Sequence, residues 1–144
     1  MAKSTPVCNS ILALIFNAAA WADLAENDNS GPLTSLWLSL HTGDPGVGGS
    51  QLTNEATYTD YARLEVVRST AGWTVPSSGQ TSNAALAQFI ICGGGTNSIT
   101  HVAIGKSATG AGLVLYAGAL SSPRSVSIGI QPQFAIGGLV VQET

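Results

Sequence analysis

Gly105-Lys106-Ser107 is the closest approach to a phosphate-binding loop in this chain. Such a loop needs a first glycine, then four residues, then Gly-Lys-Ser/Thr, and a helix after it. The position required for that glycine holds Thr100, and Gly110 and Gly112 follow too soon for a helix. The triplet therefore reads as a strand end carrying a solvated lysine. His41 and His101 have no His or Cys two to five residues on, the local spacing of metal pairs. His41 is expected to use its ring nitrogens to tie down the turn that follows it. Serines are too numerous to nominate a nucleophile, and a hydrolase needs nucleophile, base and acid in one cleft. Glu55 and Asp60 do not form the paired-carboxylate pattern of sugar cleavage. Asp44, Glu55 and Asp60 lack the regular oxygen-ligand loop of a Ca²⁺ site. Gly93-Gly94-Gly95-Thr96 reads as a turn rather than an anion cradle. We therefore expect no enzyme, no cofactor and no metal.

The elements that must position these residues are mostly strands. Thr5 as N-cap and Pro6 as first residue predict an N-terminal amphipathic helix, with Ile11, Leu14, Ile15, Ala18, Ala22 and Ala25 on one face. The same stretch imitates a secretory signal peptide, but we expect the helix, and it is too short to span a bilayer. Asn27-Asp28-Asn29-Ser30-Gly31-Pro32 is a dense turn signal. Strands are then expected over Thr34–Leu40, Ala62–Arg68, Ala84–Ile91, Ile99–Gly105, Gly112–Ala117, Ser125–Ile130 and Phe134–Val141. Short strands at this spacing predict a mainly β fold: a β-sandwich, as a jelly roll, with one N-terminal helix. We expect a single domain over 1–144, with 1–30 as arm and helix and 31–144 as the sandwich. Gly137-Gly138 is expected to be a bend within the last strand.

Composition narrows the partners. Of the 144 residues only 9% are charged, against roughly 25% in an ordinary domain. From Val66 to Gln142 there is no Asp or Glu, and only Arg68, Lys106 and Arg124 are charged. Net charge is −3 without a basic cluster, which argues against nucleic acid and against an anionic membrane surface. Such a surface is either simply rich in Ser and Thr or covered by other protein. The positive mean hydropathy leans toward the second.

One stretch carries a resemblance. Leu36, Leu38 and Leu40 alternate on one strand face, and His41-Thr42-Gly43-Asp44-Pro45-Gly46 then stops the strand. Asn54-Glu55-Ala56-Thr57-Tyr58, Tyr61-Ala62-Arg63, Thr100-His101-Val102-Ala103-Ile104-Gly105 and Leu115-Tyr116-Ala117-Gly118-Ala119-Leu120 continue the pattern. It resembles a family of small proteins of tailed bacteriophages and prophages that carry the label "tail fibre protein". Similar small proteins sit on capsids as cement or decoration proteins. The resemblance implies a virion structural protein made in the bacterial host cytoplasm. There Cys8 and Cys92 are expected to be free buried thiols. It implies a capsid-surface protein that binds the major capsid protein and copies of itself, as homodimer or trimer. The alternative is a tail fibre or appendage component that binds host glycans.

Trp37 lies opposite the leucines of its strand. It is either covered by its own chain or an interface residue, tryptophan being enriched at hot spots. Trp37, Trp73, Tyr58 and Tyr61 are the interface candidates, and the segment before Pro6 and loop 44–54 are the expected contact arms.

Overall fold

In the computed structural model, residues 3–21 and 31–144 are described. The fold is mainly β, with antiparallel sheets and one N-terminal helix, consistent with the expected β-sandwich class. The chain clusters into two compact units, each assembled from separated segments.

The first unit comprises 1–35, 67–87 and 134–144. Its helix α1 (Thr5–Phe16) has Ser4, not Thr5, at the N-cap, and no side-chain cap bond. Cys8, Leu12 and Phe16 are its buried residues, an i, i+4, i+8 stripe. The buried face is thus rotated by roughly a third of a turn from the one expected through Ile11, Leu14 and Ala18. Large side chains at Leu12 and Phe16 outweigh alanines at Ala18 and beyond. Ala22 and Ala25 lie outside the described residues. The helix ends early because Ala18 turns left-handed (φ 53°), which brings the Ala19 N–H back to the Ala13 carbonyl at 3.1 Å. Arg68 then takes the orphan carbonyls of the last turn: Nε donates to Ile15 O (2.7 Å) and Nη2 to Leu14 O (2.8 Å). A cation there also complements the helix dipole.

Under the helix, Phe16 meets Trp73 edge-on at 4.6 Å between ring centroids. Strands β3 (Gln80–Ser82) and β8 (Val140–Gln142) pair antiparallel, Thr81 opposite Val141. The Asn9 side chain accepts the Gly79 N–H at 2.6 Å, and Lys3 pairs with Glu143. Asn83, almost fully buried, donates to Ala85 O and Ala135 O and accepts from Leu139 N–H, each at 2.8 Å. That amide hub, with Gly137 at φ 72°, folds 135–139 into a turn. The expected strand Phe134–Val141 is therefore split into β7 (Gln133–Phe134) and β8. Ala84–Ile91 likewise shrinks to β4 (Ala87–Gln88), which pairs with β7.

The second unit, 36–66 and 88–133, holds the main sheet. Its strand order is β2-β1-β5-β6, with β1 at Ser35–His41, β2 at Leu64–Val67, β5 at Thr96–Gly105 and β6 at Val114–Ser127. Two expected strands, Gly112–Ala117 and Ser125–Ile130, are one strand, β6. Pro123 does not end it because Ile99 pairs with Arg124 while His101 pairs with Ala119. Leu120 to Pro123 thus bulge opposite Thr100, where no ladder bond needs the missing N–H. Cys8 and Cys92 are both buried and free. No helix among the described residues is long and apolar enough to cross a membrane.

Trp73 is wholly buried, so Trp73→Ala is expected to cost about 3–5 kcal/mol of stability. Denaturant unfolding measures this; a loss below about 1 kcal/mol contradicts the described packing.

Candidate functional site: a sealed polar network

Strand β1 is buried on both faces. Leu36, Leu38 and Leu40 point into the core as expected, but Ser39 and His41 on the other face are also fully buried. Polar groups removed from water need partners. Ser39 Oγ and His41 Nε2 lie 2.8 Å apart, and His41 Nδ1 is 2.8 Å from the Thr53 carbonyl. A carbonyl only accepts, so Nδ1 carries the proton and the Ser39 hydroxyl donates to Nε2. The ring thus ties down the far end of the following loop, at Thr53, rather than the adjacent turn that the sequence suggested. A hydroxyl donating to an imidazole is also the nucleophile–base geometry of acyl transfer. Here both side chains are sealed from solvent, and the pair completes the hydrogen bonding of a central strand.

The loop after the His-Thr-Gly-Asp-Pro-Gly turn folds back beside β1. Asp44 Oδ1 accepts the Gly46 N–H at 2.8 Å, and Asn54 Nδ2 donates to Asp44 O at 3.0 Å. A side chain at Gly43 would press on that Asn54 amide, its Cβ falling 3.1 Å from Nδ2. Thr42 N–H then donates to Asn54 O (2.7 Å) and Ala56 N–H to Leu40 O (2.8 Å). Residues 54–56 so extend the sheet along the end of β1, with Glu55 opposite His41. Loop 44–54, the expected contact arm, is held by its own bonds and keeps Val47 fully exposed.

Glu55 anchors the most charged part of the network. Arg63 grips it bidentately, Nε to Oε1 at 2.7 Å and Nη2 to Oε2 at 2.8 Å. Two more Arg63 bonds reach the β5–β6 hairpin, Nη1 to Ser107 O (2.9 Å) and Nη2 to Gly110 O (2.7 Å). Tyr61 donates its hydroxyl to Glu55 Oε1 (3.0 Å) and accepts the Leu40 N–H (3.0 Å). The phenol therefore stands in for a neighbouring strand at Leu40. Gln51, fully buried, accepts the Ser107 N–H at 3.1 Å. Gly105 and Gly112 leave room for it, since a Cβ at either would fall within 2.1 Å of that amide. The Gly105-Lys106-Ser107 triplet is a hairpin corner held by Gln51 and Arg63.

Burial pushes the Tyr61 hydroxyl far above its ordinary range and Tyr58 up to about 12. His41 is shifted the other way. Burial lowers its pKa below 6.5; the Thr53 carbonyl and Glu55 act upward, Arg63 and His101 further downward.

The interface candidates divide. Trp73 and Tyr58 are core residues of the folded chain, not surface ones. Tyr58 donates to Ile90 O at 3.1 Å and packs edge-on to Tyr61 at 5.2 Å. Tyr61 also stacks on Phe89 and is committed to Glu55. A left-handed Asp60 (φ 72°) closes the turn that turns both tyrosines inward. Trp37 alone of the four keeps partial exposure without such bonds through its side chain. The sequence reading missed Arg63, Glu55 and Gln51 as a unit. The one available signal was a lone arginine flanked by Ala62 and Leu64. Among the described residues no group of three His, Cys, Asp or Glu could hold a metal ion.

A family profile described as podophage GP4 fiber I protein gp80 matches residues 3–142, nearly the whole chain. The chain belongs to that family. It is a phage fibre-type structural protein and a component of the virion. No curated protein matches it. The residues of the resemblance, from the turn at His41 to the strand at Tyr116, lie within the matched span. In this gp80-family chain they form the sealed network and the sheet it braces.

Removing one partner of the buried pair leaves an uncompensated charge. Glu55→Gln and Arg63→Met are each expected to cost about 3–5 kcal/mol, and the double variant clearly less than their sum. Additive losses in denaturant unfolding contradict the coupling. Because the folded His41 pKa lies below its unfolded value, the unfolded chain takes up the proton first. Stability is therefore full above about pH 6.5 and declines as pH falls from there toward the lowered pKa. Thermal melts of wild type and His41→Gln across this window check it; the variant should show a flatter slope.

Proposed function

We propose that this protein works as a structural module of a phage tail fibre or appendage, by burial of surface against other proteins rather than by chemistry. One observation carries the reading. The groups suited to chemistry, Ser39, His41, Glu55 and Arg63, are spent inside the fold, while the exposed strand surface is small, hydroxylic or aliphatic and almost uncharged. Outside the strands, Val75 and Ile136 of the first unit and Ile128 of the second each stand about 70% exposed, and the long strand β6 carries Arg124 as its one charge. Close packing among copies and onto a neighbouring virion protein suits such a surface. Partly exposed Trp37 is the candidate anchor on the second unit. Family membership supports the fibre assignment. Contact with host-surface glycans belongs to this reading.

A second reading is a capsid cement protein that straddles major capsid protein subunits. It is favoured by a sequence with only 9% charged residues, which suits close packing of many copies over a lattice. A standard interface of about 800 Å² per partner, repeated over a lattice, then gains avidity.

Particles assembled without this protein separate the two. The fibre reading expects intact, DNA-filled particles of normal heat resistance that adsorb poorly to cells. Particles that adsorb normally but burst on heating or osmotic shock overturn it in favour of cement. Copy number is the second readout: a few to a few dozen per particle for the fibre, hundreds for cement.

A further inference from the structure

Strand β6 is finished on one side only. Its inner edge pairs with β5 from Thr96 opposite Ser127 to Gly105 opposite Val114, and among the described residues no strand pairs with its outer edge. The two ends of that edge are blunted in different ways. At the start, the loop residue Ser50 bridges Leu113, and Gln51 N–H donates to Gly112 O at 2.9 Å. At the far end Pro123 and Arg124 supply the proline and charge that discourage strand addition. Between them Ala117 to Leu120 has neither. Ala117, Gly118 and Ala119 are consecutive and all exposed. Alternate residues of a strand face opposite ways, so the sheet is uncovered on both faces here as well as at its rim.

We propose that this stretch of β6 is a self-association surface, where β6 of a second copy adds antiparallel about a two-fold axis. This deepens the assembly reading above by naming the surface and its occupant. The occupant follows from the strand itself. A two-fold contact sets the same patch against itself, and a neutral patch can meet its own copy without like charges opposed. With the axis near Gly118, the two Arg124 side chains lie at opposite ends of the joint. Small side chains at Ala117, Gly118 and Ala119 let two backbones approach to the ladder spacing of about 4.8 Å. The product joins two four-stranded sheets into one continuous sheet. Four paired residues span about 14 Å, which buries less than the roughly 800 Å² per partner of a standard interface. Association is therefore reversible on its own and is reinforced by repetition in the particle.

Sedimentation equilibrium of the purified full chain tests this. Wild type should show a monomer–dimer equilibrium in the micromolar range. Ala117→Lys/Ala119→Lys, both positions being exposed, should weaken it at least tenfold with an unchanged melting temperature. The Ala117→Glu/Ala119→Glu protein should be equally weak alone, and mixing the two should restore a heterodimer. Val75→Lys, on the other unit, should leave association unaltered. A wild type that stays monomeric overturns both this proposal and self-association by the free chain. An oligomer that is indifferent to the β6 charges overturns this surface alone. Should the paired variants lose their fold, Ala119→Lys by itself gives the same comparison.

Discussion

The double-sided burial of β1 is the constraint on which the second unit is built. A strand covered on one face needs only alternation. A strand covered on both must place something on its second face, and this one places Ser39 and His41 there. Each has a hydrogen-bonding side chain that costs free energy once taken out of water. The surrounding loops are arranged to satisfy them. Thr53 offers its carbonyl to His41, residues 54–56 run alongside the strand, and Tyr61 serves the Leu40 amide where β2 no longer does. Arg63 then fastens Glu55 to the β5–β6 corner. Sequence segments from His41 to Gly112 are drawn into one connected polar scaffold.

That scaffold explains why Ser39, His41, Gln51 and Arg63, which look chemical, are not exposed. The Ser–His pair, the lone arginine, the Gly-Lys-Ser corner and the Gln51 amide are each spent on a partner within the chain. A buried ion pair adds little net stability over an apolar substitute, yet it specifies which loop meets which. Its worth here lies in holding hairpin 105–113 and loop 50–56 in fixed positions beside the sheet. For the proposed self-association through β6 this matters, because a rim held in place reduces the ordering cost of a contact.

How much of this could be read from the sequence depends on the range of the interaction. The class, one helix and then strands, was legible because periodicity is local, and Leu36-Trp37-Leu38-Ser39-Leu40 marks β1 to within a residue. The turn at Gly43-Asp44-Pro45-Gly46 was equally plain. The helix face was misjudged because alanines were weighed equally with Leu12 and Phe16. Strand ends failed wherever a distant group decided them: Asn83 folds 135–139 into a turn, and Thr100 lets β6 run through Pro123. Tyr58 and Trp73 look like interface residues in a charge-poor sequence, but the partners that hold them inside, Ile90 and Phe16, are far away in the chain. The Glu55–Arg63 clasp was hidden because its further partners, Ser107 and Gly110, enter through their carbonyls, which every residue type carries.

The central claim is that chemistry-bearing groups are sealed as scaffold, with the uncharged middle of the β6 rim proposed as the surface for assembly. Residue-resolved hydrogen exchange on the purified chain, repeated on assembled particles, tests it most directly. The account predicts that the Leu40, Thr42 and Ala56 amides exchange only by global unfolding in both states. Outward amides among Ala117 to Ala119 should exchange fast in the free monomer and become protected in the particle. Fast exchange at Leu40 and Ala56 in the folded chain, or β6 amides equally open before and after assembly, contradicts it.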